Sequence, residues 1–243
     1  MRVTIAIAVL VATTACAPPA PATPAPPSTV DVSFATADGV TLSGHTYGDS
    51  GTTWVVLSNM GDNDPAPWQA FAPELTAKGY RVLTYSFRYP LRTDEFTPAM
   101  AAGTVPDLQA AIAYARDQGA RRIVLVGASL GGITAGKVAA AAEADALVVL
   151  SAGPDLSAYG LVVSGPELDA VRVPKLFIAS ADDTTVPLAD TRAYFEHAPE
   201  PKQFVSYPGS SHGVRILDGP HAQELRTLLV GFITAAVPAS APR

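Results

Sequence analysis

From residue 30 onward, apolar and polar positions alternate between two rhythms. Short β-branched apolar runs occupy residues 30–37, 41–47, 54–57, 81–87, 123–126, 147–150, 176–179 and 203–207. Each is too short for a buried helix and rich enough in Val, Ile, Leu and aromatic residues to read as a strand. The first two flank Asp38-Gly39, a strong hairpin signal. Between most of the later runs lie stretches of helical period, at residues 68–78, 105–118, 130–142 and 188–197. The last element, 222–237, sets Leu225, Leu228, Leu229, Phe232 and Ile233 on one helical face, as a core-packing helix does. A hairpin followed by alternating strands and helices predicts a mostly parallel sheet of about eight strands, with helices on both faces. In such a sheet the active site gathers at the carboxyl ends of the strands.

The first thirty residues follow a different pattern. Met1-Arg2 precedes an apolar run, Val3 to Ala12, that is too short to span a bilayer, and then comes Thr13-Thr14-Ala15-Cys16. Cys16 is the only cysteine of the chain. The arrangement resembles a bacterial lipoprotein signal, with Thr13 where Leu is usual. It implies a leader over 1–15, lipidation of Cys16, and export to the outer face of the bacterial cell membrane. Ordinary secretory cleavage is the alternative. Residues 17–29 hold six prolines and read as a stiff extended tether of roughly 40 Å. A single domain is expected over 30–238, with a short disordered tail at 239–243.

Composition narrows the function. With 48% hydrophobic and 16% charged residues and a net charge of −6, the chain carries no basic stripe to neutralise phosphates, so nucleic acid is not an expected partner. Membrane contact is expected only through the lipid anchor, and the domain is expected to be a monomer. No Cys–His zinc spacing and no dinucleotide fingerprint occur, so neither a metal nor an organic cofactor is expected.

The chemistry centres on Gly127-Ala128-Ser129-Leu130-Gly131, between a strand-like run and a helix-like one. A G-x-S-x-G pentapeptide at a strand-to-helix turn is a nucleophile elbow. The bend is so tight that residues two positions from the serine must lack bulk, hence Gly127 and Gly131. Chance supplies such a pentapeptide readily, so it needs a base and an acid. Asp182 and Asp183, just past the 176–179 strand, compete for the role of acid. His212, on the loop Pro208-Gly209-Ser210-Ser211-His212-Gly213, has the position of a base. His45, His197 and His221 sit in less suitable settings.

Taken together, these motifs resemble the α/β-hydrolase superfamily over about residues 30–237. The resemblance implies an order of serine, acid and histidine that Ser129, Asp183 and His212 follow. Its G-x-x-D-x-x-V-P pattern is matched by Ser180 through Pro187, with Ser in place of Gly, which selects Asp183 over Asp182. Its P-G-x-x-H-G loop is matched by Pro208 through Gly213. Where the superfamily carries His-Gly after the third strand, this chain has Ser58-Asn59. By position the backbone N–H groups of Met60 and Leu130 would form the oxyanion hole. The resemblance thus implies a serine hydrolase cleaving small-molecule esters of short or medium acyl chains. Alternatives are a peptidase or acyltransferase on the same fold, or a non-catalytic binding lipoprotein.

Only Pro154 to Val173 is available for a lid, so a minimal lid and an open site are expected. Trp68, Phe87, Tyr89 and Phe96 are candidates to line an acyl pocket, with buried core as the default. Arg88 and Arg92 are candidates to meet an acidic substrate, with solvated surface charge as the default.

Overall fold

A computed structural model of the protein describes residues 28–91 and 95–239. The expected leader, Cys16, most of the tether, Arg92 and residues 240–243 lie outside the described residues. The chain order is β1 (Thr29–Ala35), β2 (Thr41–Tyr47), β3 (Thr53–Ser58), α1 (Ala66–Thr76), β4 (Arg81–Tyr85), α2 (Pro98–Asp117), β5 (Arg122–Ala128) and α3 (Leu130–Val138). It continues with β6 (Ala146–Leu150), β7 (Asp155–Leu156), β8 (Leu161–Val162), α4 (Gly165–Asp169), β9 (Lys175–Ser180), α5 (Leu188–His197), β10 (Lys202–Tyr207) and α6 (Ala222–Ala236).

Eight strands form one sheet in the order β1-β2-β4-β3-β5-β6-β9-β10. Only β2 runs against its neighbours. The pairs from β4 onward are parallel. The sequence dictates why both faces are covered. In β3 every residue is buried, with Trp54 and Val56 in one core and Val55 and Leu57 in the other. Side chains alternate across a strand, so a run apolar at every position needs a layer on each side. Trp68 and Phe71 of α1 and Leu225 and Leu229 of α6 supply one layer. Leu108 of α2, Ile133 of α3, Leu168 of α4 and Tyr194 of α5 belong to the other. Burial of an aliphatic or aromatic side chain is worth about 1.5–3 kcal/mol, so the two layers carry the fold.

Several element boundaries depart from expectation. The helix expected at 105–118 starts seven residues earlier, at Pro98. Thr97 caps it, its side chain accepting the Met100 N–H at 3.3 Å, and Pro98 fits the first turn, where no N–H is needed. Pro106 and Gly103 hid this start in the sequence. Gly103 is there for space, since a Cβ would meet Arg88 Cδ at 2.6 Å. The helix expected at 130–142 ends at Val138. β1 begins at Thr29, which the sequence reading assigned to the tether.

The minimal lid takes the form of the β7–β8 ribbon, a 3-10 turn at Ser157–Tyr159, and α4. It is tied to α3, because Lys137 Nζ donates to Glu167 Oε1 and to the Val162 carbonyl, both at 2.8 Å. No described helix is long and apolar enough to cross a membrane.

Candidate active site

Ser129 stands between the last residue of β5 and the first of α3, with φ 52° and ψ −116°. A serine in the left-handed half of conformational space is strained, and such strain persists only where the surroundings fix it. Here they do. Its N–H donates to the Leu150 carbonyl at 2.8 Å, and its own carbonyl accepts from Gly132 at 2.9 Å and Ile133 at 3.1 Å. A Cβ on Gly127 would lie 2.1 Å from the Gly131 carbonyl oxygen. One on Gly131 would lie 2.4 Å from that of Asn59. Both glycines are therefore demanded by close approach, as the pentapeptide implied.

Ser129 opens on a cleft of about 160 Å³. Leu130, Ile133, Ala152, Leu156 and Val186 make its apolar walls, and Asp155 and Asp190 also line it. A larger cavity, about 580 Å³, lies between α6 and the starts of β9 and β10, against Pro174, Pro201 and Gln203. That is the amino end of the sheet, away from Ser129 and from the end where such sheets place their chemistry.

Asp183 follows β9, and its side chain is fully buried. Oδ1 accepts the N–H groups of Thr185 at 2.9 Å and Val186 at 3.1 Å. Oδ2 is left to face His212 Nδ1 at 2.7 Å. A carboxylate can only accept, so Nδ1 is the donor in this contact. Asp182 is exposed and contacts the histidine loop through its backbone, its N–H donating to Gly209 at 2.9 Å. The loop after β10 is held down further by Ser180, whose Oγ donates to the Ser211 carbonyl at 2.5 Å. The Ser in place of the superfamily's Gly thus has a use, which sequence reading missed.

The structure brings this histidine–aspartate pair to the elbow. Gly213, next to His212, has φ 54°, and a Cβ there would be 2.6 Å from Met60 Sδ and 3.3 Å from Ala128 Cβ. Residues 60, 128 and 213 are thus packed together. No hydrogen bond joins Ser129 Oγ to His212, whose ring is bonded to Asp183. In unliganded sites this contact is often long and tightens with substrate. The other histidines are elsewhere. His45 faces Asp31 and Gln69, His197 bonds the Ala193 carbonyl, and His221 stacks on Tyr207.

Met60 and Leu130 lie on either side of the elbow. Leu130 is the first residue of α3, where backbone N–H groups have no intrahelical partner. Met60 follows β3 by two residues. Among the described residues neither N–H donates to another backbone group.

The candidate pocket residues fall mostly into the core. Trp68, Phe87 and Tyr89 are buried, and Trp68 Nε1 donates to the Ser58 carbonyl at 3.0 Å. Phe96 packs on Tyr89 and Tyr159, with ring centroids 5.8 and 5.1 Å away, and does not line the cleft. Arg88 is not solvated surface charge. It donates through Nε to Asp107 Oδ1 at 2.8 Å and through Nη1 to Asp38 Oδ2 at 2.6 Å. The bonds to Asp38 hold that carboxyl well below the usual range, whereas burial pushes Asp107 up against the pull of the same guanidinium. Arg215 is likewise engaged by Asp62 at 2.8 Å and Asp64 at 3.3 Å.

Known proteins place this site in context. The sequence model described as the dienelactone hydrolase family matches residues 66–223, well over half the chain. The chain belongs to the dienelactone hydrolase family. The matched region of this family member includes Ser129, Asp183 and His212. No curated protein matches it. Solved structures resemble it in fold. An esterase from Pyrococcus furiosus superposes with a TM-score of 0.69 at 18% identity, over 86% of this chain and 93% of its own. A lidless α/β serine hydrolase from Xanthomonas campestris gives 0.67 at 18% identity, over 90% and 99%. A dienelactone hydrolase from Anabaena variabilis gives 0.68 at 21% identity, over 87% and 99%. The fold is thus that of α/β-hydrolases, and the family is one of hydrolases.

Proposed function

We propose that this family member hydrolyses carboxylic esters with short or medium acyl groups, through Ser129, His212 and Asp183. The observation that carries the reading is the 2.7 Å bond from His212 Nδ1 to a buried Asp183, beside a serine held at a strained elbow. In this reading His212 Nε2 takes the proton of Ser129 Oγ as the oxygen attacks the acyl carbon. Asp183 stabilises the imidazolium so formed. The tetrahedral oxyanion is received by the N–H groups of Met60 and Leu130, neither of which donates to another backbone group among the described residues. His212 then protonates the leaving alcohol, and water releases the acyl group by the same route.

The cleft beside Ser129 is small, about 160 Å³, with apolar walls from Leu130, Ile133, Ala152, Leu156 and Val186. Small substituents fit it, which supports short acyl or alcohol groups. A panel of p-nitrophenyl esters of rising acyl length tests the reading. Activity should fall beyond medium chains and vanish in Ser129→Ala. Equal slow rates in both proteins would sink it.

The same proposal puts the enzyme outside the cytoplasmic membrane, anchored through Cys16, because of the lipoprotein-like signal in the sequence. Membrane fractionation of wild type and Cys16→Ser tests that part. A protein equally membrane-bound in both forms would refute the anchor.

A further inference from the structure

The loop that carries Met60 is fastened by two asparagines, and the fastening is more complete than a surface loop needs. Asn63 is buried at φ 56°, a left-handed conformation that Asn tolerates better than most residues. Its side-chain amide uses its full capacity. Nδ2 donates to the carbonyls of Phe87 at 3.2 Å and Tyr89 at 2.7 Å, while Oδ1 accepts from the Phe87 N–H at 2.8 Å and Asn59 Nδ2 at 3.2 Å. The backbone N–H of Asn63 then reaches back to the Met60 carbonyl at 3.0 Å. Asn59 Nδ2 also donates to the Tyr85 carbonyl at 2.9 Å, whereas Asn59 Oδ1 is buried with no partner among the described residues.

Residues 59–63 are thereby clipped to the chain leaving β4. From the other side they are pressed by the elbow, where Gly131 approaches the carbonyls of both Ser58 and Asn59. We propose that Asn63, seconded by Asn59, is the positioning residue that holds the Met60 N–H in place for the developing oxyanion. The clip stands where Ser58-Asn59 departs from the superfamily's usual His-Gly. The inference rests on the ester-hydrolase reading, because it assigns Met60 a role in that chemistry.

The residue type is specific. Asp at 63 would turn two donors into acceptors facing the Phe87 and Tyr89 carbonyls. Gly would keep the left-handed backbone and remove every side-chain bond, so Asn63→Gly separates conformation from clip. Its test reads kcat, KM and the inhibition constant of a trifluoromethyl ketone, which forms a tetrahedral adduct with the serine. Loss of oxyanion positioning predicts kcat lower by about 10- to 100-fold with KM within about twofold. Affinity for the ketone should weaken by a similar factor.

Tyr80→Phe is the control for stability alone. It deletes the bond from the Tyr80 hydroxyl to the Val237 carbonyl far from the cleft, and should leave kcat and inhibitor affinity unchanged. A variant Asn63→Gly with lower melting temperature but wild-type kcat and inhibitor affinity would make the clip merely structural and overturn the proposal. If Asn63→Gly does not fold, Asn59→Ala carries the test, with the same pattern at smaller amplitude expected and unchanged kcat overturning it. Failure of the underlying reading looks different, since wild-type protein would then neither turn over esters nor bind the ketone.

Discussion

His212 Nδ1 meets one oxygen of Asp183 at 2.7 Å, and the other oxygen of that fully buried carboxylate is taken by two backbone N–H groups. The carboxylate cannot turn away from the ring without stranding those donors. The nitrogen that faces Asp183 is therefore fixed, and the proposed role of base falls to Nε2.

From this it follows that the two neighbouring aspartates are not equivalent. Asp183→Asn should lower kcat by about three to four orders of magnitude, because an amide leaves the wrong tautomer at the ring. Asp182→Asn, at an exposed side chain, should stay within about twofold. Ester turnover by the purified variants checks both, and equal losses would remove the distinction.

The elbow makes a stability prediction. Gly127→Ala would place a methyl 2.1 Å from the Gly131 carbonyl oxygen, where only backbone movement relieves it. The expected cost is upwards of about 3 kcal/mol, the top of the range for overpacking. Urea denaturation of the variant measures this, and a loss below about 1 kcal/mol would show that the turn is slacker than described.

Lys175 gives stability a pH dependence. Its ammonium group is buried on the carbonyls of Val171 and Val173, at 2.8 and 2.7 Å, and burial pulls its pKa from 10.5 to about 8. Below about pH 8 both folded and unfolded chains carry the proton, and the penalty for burying it is constant. Between about 8 and 10.5 the unfolded chain binds a proton that the folded chain has released, so this group makes stability rise with pH. The difference in unfolding free energy between wild type and Lys175→Met should therefore grow in favour of wild type from pH 7.5 to 9.5. Parallel pH curves would contradict it.

The acidic lining of the cleft predicts a charge preference. Asp155 and Asp190 line it, hydrogen bonds from Ser157 hold the Asp155 carboxyl below its usual range, and no described Lys or Arg shares the lining. Acetylcholine should be turned over with a higher kcat/KM than its uncharged isostere 3,3-dimethylbutyl acetate, by about three- to tenfold at low salt. The gap should shrink at high ionic strength and in Asp190→Asn. Equal rates at low salt would rule it out.

Much of this was legible from one dimension because its cause is local. The strands announce themselves through β-branched runs, and the elbow through the glycines that its close approaches require. The start of α2 was not legible, because Pro106 and Gly103 look like breakers until Arg88 is seen crossing over Gly103 to reach Asp107. Arg88 read as solvated charge for the same reason, as its two carboxylate partners lie 50 and 19 residues away. Asn63 had a faint signal in its spacing of four from Asn59. Its meaning depends on the Phe87 and Tyr89 carbonyls, which only the fold brings near.

A nucleophilic Ser129 activated by His212 leaves a direct chemical signature. The most direct measurement is reaction with a fluorophosphonate at neutral pH, with the modified peptide located by mass spectrometry. One adduct per chain is expected on Ser129, lost in Ser129→Ala and slowed at least a hundredfold in His212→Ala. An unlabelled wild-type protein, or an adduct on any other residue, would contradict it.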